Sequence, residues 1–173
     1  MLTNCYLMIT AFFGTLERLQ DPPNLKRLVK LLRMHDVKFA AICEPKADVS
    51  QIESIRLRLS FDAVEVNTSG DIWVFYSLPF MCSALGRSSK HISLLVHHSW
   101  LPGNLVVSFA YASCSREERR ILWHALLADK PTLIPWCMCG EFNVIMEPQE
   151  KRGGHPFGNT EVQELLSVME EAV

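Results

Sequence analysis

The sequence predicts an α/β fold: a sandwich of mixed, largely antiparallel sheets flanked by helices. Three observations lead there. Apolar runs of strand length are interspersed with stretches of helical periodicity across the 173 residues. The turn clusters Asn67-Thr68-Ser69-Gly70 and Pro102-Gly103-Asn104 each sit between two apolar runs and read as hairpins. Three Ser/Thr-x-x-Glu/Gln stretches mark helix starts. A purely alternating parallel fold would not place hairpins at 61–76 and 91–111, so mixed sheets fit better.

The elements follow in order. Tyr6 to Phe13 reads as a first strand, with Gly14 to Asp21 as a linker. Asn24 can cap a helix whose inner residues are Leu25, Leu28, Val29, Leu31 and Leu32. Lys26, Arg27, Lys30 and Arg33 fill its solvated face. Val37 to Cys43 is a central strand ending at Glu44-Pro45, where proline stops the ladder and holds Glu44 extended. Ser50-Gln51-Ile52-Glu53 reads as a capping box for a helix carrying Ile52, Ile55, Leu57 and Leu59. Phe61–Val66 and Ile72–Tyr76 form the first hairpin. Ser77 to Lys90 reads as loop. His91–Val96 and Leu105–Tyr111 form the second hairpin. Ser115-Arg116-Glu117-Glu118 starts a helix with Ile121, Leu122, Ala125 and Leu126 inward. Leu133 to Asn143 is a buried strand running into a tight turn. Thr160-Glu161-Val162-Gln163 starts the last helix, with Val162, Leu165, Leu166 and Met169 as its stripe.

Composition bounds the class. Hydrophobic residues make up 49% and charged residues 21%, which suits one globular domain with a sizeable core. The net charge of -2 gives no global basic field for nucleic acid, and leaves a local basic groove open. Six cysteines lie at irregular spacings without a C-x-x-C pair, as in reduced thiols of an intracellular protein. Cys137 and Cys139 would point the same way from one strand. The apolar stretch Cys5–Phe13 has no basic residue before it and is too short to span a bilayer. The chain therefore reads as soluble, with no membrane partner; nucleus and cytoplasm are not distinguished.

Three strands end in polar residues that could converge: Glu44, Tyr111 and the Glu141/Asn143 pair. A carboxylate at a strand end suits Mg²⁺, which prefers oxygen donors and keeps several waters. An amide and a phenol could bond a phosphate oxygen, and a second carboxylate could orient or deprotonate an attacking water. That set describes metal-assisted phosphodiester hydrolysis. The plainer reading is ordinary loop polarity, since polar residues end most strands. His97 and His98 are adjacent on a strand, face opposite ways, and do not read as a metal pair. His155 reads as a loop histidine. Trp73, Trp100, Trp123 and Trp136 read as core rather than as base-stacking platforms.

An ordered series of motifs adds a resemblance. It runs Leu25-Lys26-Arg27-Leu28 to His35, Ala41-Ile42-Cys43-Glu44-Pro45-Lys46, Asp71-Ile72-Trp73-Val74, and Phe109-Ala110-Tyr111-Ala112-Ser113. Arg119-Arg120-Ile121-Leu122-Trp123, Pro135-Trp136 through Gly140-Glu141-Phe142-Asn143, and Glu150-Lys151-Arg152-Gly153-Gly154 follow. The series resembles the endonuclease/exonuclease/phosphatase superfamily, and most the endonuclease domain of LINE-type (non-LTR) retroelements. It covers residues 25–173 as a partial domain, with residues 1–24 a poorly matched N-terminal segment. The resemblance implies a hydrolase that cleaves nucleic-acid phosphodiesters with Mg²⁺, and DNA as partner of an active copy. It implies Glu44 as metal ligand, Tyr111 as phosphate contact, Asn143 as positioner of the scissile phosphate, and Glu141 in place of the aspartate that orients the water.

The departures set a further expectation. Glu141 is one methylene longer than that aspartate, and a misplacement near one ångström costs on the order of 100-fold in rate. The W-N-x-R-G motif has no counterpart near Gly14-Thr15, and the L-D-R and S-D-H motifs do not occur before Val173. The chain is therefore expected to be a truncated copy with little or no activity by itself. The alternatives are a non-catalytic interaction module that self-associates through an uncovered sheet edge, or a phosphatase-type relative acting on a small phosphate ester. The R-x-x-L-W and E-K-x-G-G features favour the retroelement branch over the latter.

Overall fold

A computed structural model describes residues 11–15, 19, 21–147, 149 and 159–172. The chain divides between Phe80 and Met81 into two compact units. Each holds one four-stranded mixed sheet with helices on it, so the predicted α/β class holds.

The first sheet contains β1 (Ala11–Thr15), β2 (Phe39–Cys43), β3 (Ala63–Val66) and β4 (Ile72–Tyr76) in the order β1-β2-β4-β3. β1 and β2 run parallel; β4 is antiparallel to both β2 and β3. Every residue of β2 and β4 is buried, which is why both read as continuous apolar runs. Helix α1 (Pro22–Met34) and helix α2 (Ile52–Leu59) supply Leu25, Leu28, Leu32, Ile55 and Leu59 to a core with Ala40, Ile42, Trp73 and Phe75. Burial of each large side chain contributes about 1.5–3 kcal/mol. The Trp73 indole Nε1 donates to the Gly70 carbonyl at 2.8 Å and ties down the β3–β4 turn.

The second sheet contains β5 (Met81–Arg87), β6 (His91–His97), β7 (Leu105–Tyr111) and β8 (Trp136–Glu141) in that order. The first two pairings are antiparallel, and β7/β8 is parallel. Parallel neighbours need a crossover, and helix α3 (Arg116–Ala128) provides it. Helix α4 (Asn159–Ala172) packs beside α3. Leu122, Trp123 and Leu126 of α3 form a core with Leu165, Val168, Ala110 and Ala112, against which Trp136, Met138 and Phe142 pack. Three ion pairs join the helices: Arg116–Glu164 at 2.7 Å, Arg120–Glu164 at 2.5 Å, and the buried Arg119 with Glu161. Arg119 also donates to the Ser113 and Cys114 carbonyls just before α3.

Several expectations are corrected. The first strand is described at Ala11–Thr15, not Tyr6–Phe13, and residues 6–10 lie outside the described set. Helix α1 starts at Pro22, not after Asn24; its two prolines occupy first-turn positions where no amide donor is needed, and Asp21 is the N-cap residue. Asp48, not Ser50, caps the turn before α2, accepting from the Ser50 amide at 2.8 Å, while Glu53 pairs with Arg56. Leu57 is 64% and Ile121 70% exposed, each on the outer side of its helix. Ser115 is the N-cap of α3, but its hydroxyl bonds Glu117 rather than closing a capping box. Helix α4 already includes Thr160, and its buried stripe is Val162, Leu165 and Val168, with Met169 outside.

The segment read as loop contains β5. Its residues are mostly exposed and its pairing shifts register between Ala84 and Gly86, so it carries no clean alternation. β8 begins at Trp136, and Leu133 before it is exposed. Trp73 and Trp123 are core as expected, but Trp100 is 79% exposed, packed edge-on against His98. His97, the last residue of β6, is exposed, and His98, just past the strand, is buried. His155 and the Glu150–Gly154 loop lie outside the described residues. No helix among the described residues is long and apolar enough to cross a membrane.

Candidate active site

The seam between β7 and β8 brings three of the four candidate residues together. Parallel pairing sets Tyr111 opposite Glu141. One step on, the Ala112 amide donates to the Glu141 carbonyl at 2.8 Å. The chain then turns, with Asn143 in the left-handed region at φ 49°. Asparagine tolerates this conformation better than most residues. Its side-chain Nδ2 donates to the Ala112 carbonyl at 2.6 Å, and its backbone amide donates to Glu141 Oε1 at 3.2 Å.

These bonds follow from the sequence G-E-F-N. Gly140 lies so close to β7 that a Cβ there would meet the Ala110 carbonyl oxygen at 2.1 Å. Phe142 turns to the helix side and packs on Trp123, ring centroids 5.9 Å apart. Glu141 is exposed, while Asn143 and Tyr111 are half-buried. The Lys90 ammonium lies 5.5 Å from the Tyr111 ring centroid, a cation–π contact that adds positive charge beside the phenol. The corner thus offers an amide, a phenol and a nearby cation, groups suited to a phosphate. It also offers a carboxylate, one oxygen of which folds back onto the Asn143 amide.

Glu44 belongs to the first unit, at the C-terminal end of β2. It is not extended as expected: its φ is 47°. The proline that follows favours extended backbone, so this left-handed geometry runs against the local preference. The Glu44 amide donates to the Asp71 carbonyl at 2.8 Å, which anchors the strand end to the residue before β4. Glu44, Pro45, Lys46, Ala47, Gly70 and Asp71 line a hollow of about 250 Å³. Asp71, quoted above only as part of a motif, is thus a second carboxylate beside Glu44. Nothing in its sequence position signals this except its place two elements away at the facing strand start.

Among the described residues no group of three or more His, Cys, Asp or Glu could hold a metal ion. That excludes an all-protein cage there and not a Mg²⁺ site, since Mg²⁺ uses one or two carboxylates and keeps its waters. The half-buried Glu44 with Asp71 on the same hollow fits that donor set.

Sequence reasoning missed a polar chain elsewhere in the second unit. His91, buried, has both ring nitrogens engaged: Nδ1 with Ser88 Oγ at 2.7 Å and Nε2 with Asp129 Oδ2 at 2.8 Å. A carboxylate only accepts, so Nε2 carries the proton. Gly86 makes room for it, since a Cβ at 86 would meet the Asp129 carboxylate at 2.0 Å. This chain fastens the β5–β6 turn to the end of α3.

The fold so assembled is that of endonuclease/exonuclease/phosphatase structures. The endonuclease domain of TRAS1, a telomere-specific non-LTR retrotransposon, superposes with a TM-score of 0.66 at 10% identity, over 94% of this chain and 69% of that one. An AP endonuclease from Archaeoglobus fulgidus gives 0.69 at 14% identity, over 92% and 69%. An endonuclease/exonuclease/phosphatase family protein from Bacteroides thetaiotaomicron gives 0.53 at 13% identity, over 69% and 54%. At these identities the likeness is one of fold. No family model matches the sequence, and no curated protein is similar to it in sequence.

Proposed function

We propose that this chain is a retroelement-derived endonuclease-type domain that keeps a phosphodiester-binding corner and has weak hydrolytic power. The corner at the β7/β8 seam carries the reading: Tyr111, Glu141 and Asn143 meet at the end of a parallel strand pair, in a chain whose fold resembles an endonuclease domain over 94% of its length. Asn143 and Tyr111 contact phosphate oxygens, with Lys90 adding positive charge. In the first unit, Glu44 with Asp71 on the same hollow would hold Mg²⁺, whose chemistry is charge neutralisation at a phosphate. Glu141 stands where a water must be oriented. Its side chain is one methylene longer than the aspartate of that role, and this supports the expectation of low activity.

Binding of a short DNA duplex in the presence of Mg²⁺ tests the corner. Asn143→Ala and Tyr111→Ala should each weaken binding several-fold, while Lys26→Ala on the solvated face of α1 should not. Equal affinity for all four proteins would refute a phosphate site at this seam. A second reading, a self-associating module without catalysis, is favoured by β8, which ends its sheet with a single strand neighbour among the described residues. Light scattering distinguishes the two: a concentration-dependent dimer supports self-association, and a monomer over the whole range rejects it.

A further inference from the structure

The outer part of β8 carries two thiols that the proposed chemistry does not use. Cys137 and Cys139 are two residues apart on one strand, so their side chains leave the same face. Trp136, Met138 and Phe142 take the opposite face and pack on the α3–α4 core. Cys137 is exposed and Cys139 half-buried, and their Sγ atoms lie 3.7 Å apart.

That separation has a chemical meaning. A disulfide needs the sulfurs at about 2.05 Å, so the two would have to close by more than about 1.5 Å within a three-residue span. Two thiolates on one tetrahedral d¹⁰ ion, at about 2.3 Å each, sit about 3.8 Å apart. The pair already has that spacing. We propose that Cys137 and Cys139 form a two-thiolate site for a soft divalent cation of the zinc and cadmium class, with solvent or an added ligand filling the remaining positions.

The protonation state supports this. The hydrogen bond between the two sulfurs lowers the Cys137 pKa to about 6, while Cys139 is pushed up by the same bond and by burial. An incoming cation bonds both sulfurs, and any proton they carry leaves to solvent, with no oxidation or reduction. Soft thiolate donors select such ions over Mg²⁺, so this site does not compete with Glu44 for metal.

Cadmium titration of the full chain under reducing conditions tests the assignment. The expected result is one Cd²⁺ per chain with a thiolate-to-metal charge-transfer band, lost in Cys137→Ser and in Cys139→Ser and unchanged in Cys114→Ser, an exposed cysteine outside the pair. Circular dichroism of each variant checks that the fold persists. Absence of the band in the wild-type chain would overturn the proposal. So would its survival in either single variant of the pair, because the cation would then be held elsewhere.

Discussion

Gly140 lies flush against the Ala110 carbonyl oxygen, which an added Cβ would approach to 2.1 Å. The obstacle is backbone in a parallel ladder, so it cannot swing away. Gly140→Ala should therefore destabilise the second unit by about 1–3 kcal/mol, the usual cost of overpacking. Urea denaturation checks this through a lowered midpoint, and an unchanged midpoint would mean that the seam is looser than described.

Asn143 combines a left-handed backbone with a side-chain bond to Ala112. Asn143→Ala loses the bond and strains the backbone, whereas Asn143→Gly loses only the bond and relaxes the backbone. Asn143→Gly should be the more stable of the two by about 0.5–1 kcal/mol. Thermal unfolding of the two variants side by side decides it, and the reverse order would contradict the geometry.

How far the sequence reaches can be read from individual residues. β2, β4, β6 and β7 were legible because burial writes apolar runs into the chain, and the Tyr111, Glu141 and Asn143 corner because it follows strand ends. β5 was not legible, because an exposed, bulged strand needs no alternation. Ile121 reads as inward from its residue type alone, yet it is exposed, as is Leu57, because apolar residues also occur on the outside of helices. The left-handed Glu44 is not legible, because the proline after it favours extended backbone and no local signal announces the departure. Asp129 and His91 lie 38 residues apart, and no local pattern links them.

Glu164 receives hydrogen bonds from Arg116 and Arg120, which hold its carboxyl down at about 2 from the usual 4.5. A lowered pKa in the folded state stabilises above the unfolded value. That contribution is present above about pH 4.5 and is lost as pH falls towards 2. Glu164→Gln should flatten the decline in stability over this window and change little of the pH dependence above it. Denaturation midpoints at about pH 6, 4 and 3, which span the window, make the comparison; parallel curves for the two proteins would refute the linkage.

Gly86 admits the Asp129 carboxylate to His91. Gly86→Ala pushes that carboxylate off the buried imidazole and leaves Nε2–H without its acceptor, a loss of about 1–3 kcal/mol. Amide exchange at the β5–β6 turn should accelerate with it. Unaltered exchange there would show that the His91–Asp129 bond does not fasten the turn.

Mg²⁺-dependent nicking of a supercoiled plasmid by the purified chain tests the weakened site most directly. The expected result is nicking no faster than that of Glu44→Ala prepared in parallel. Sustained Mg²⁺-dependent cleavage that Glu44→Ala abolishes would contradict it, and would show that Glu141 performs the task of the shorter carboxylate.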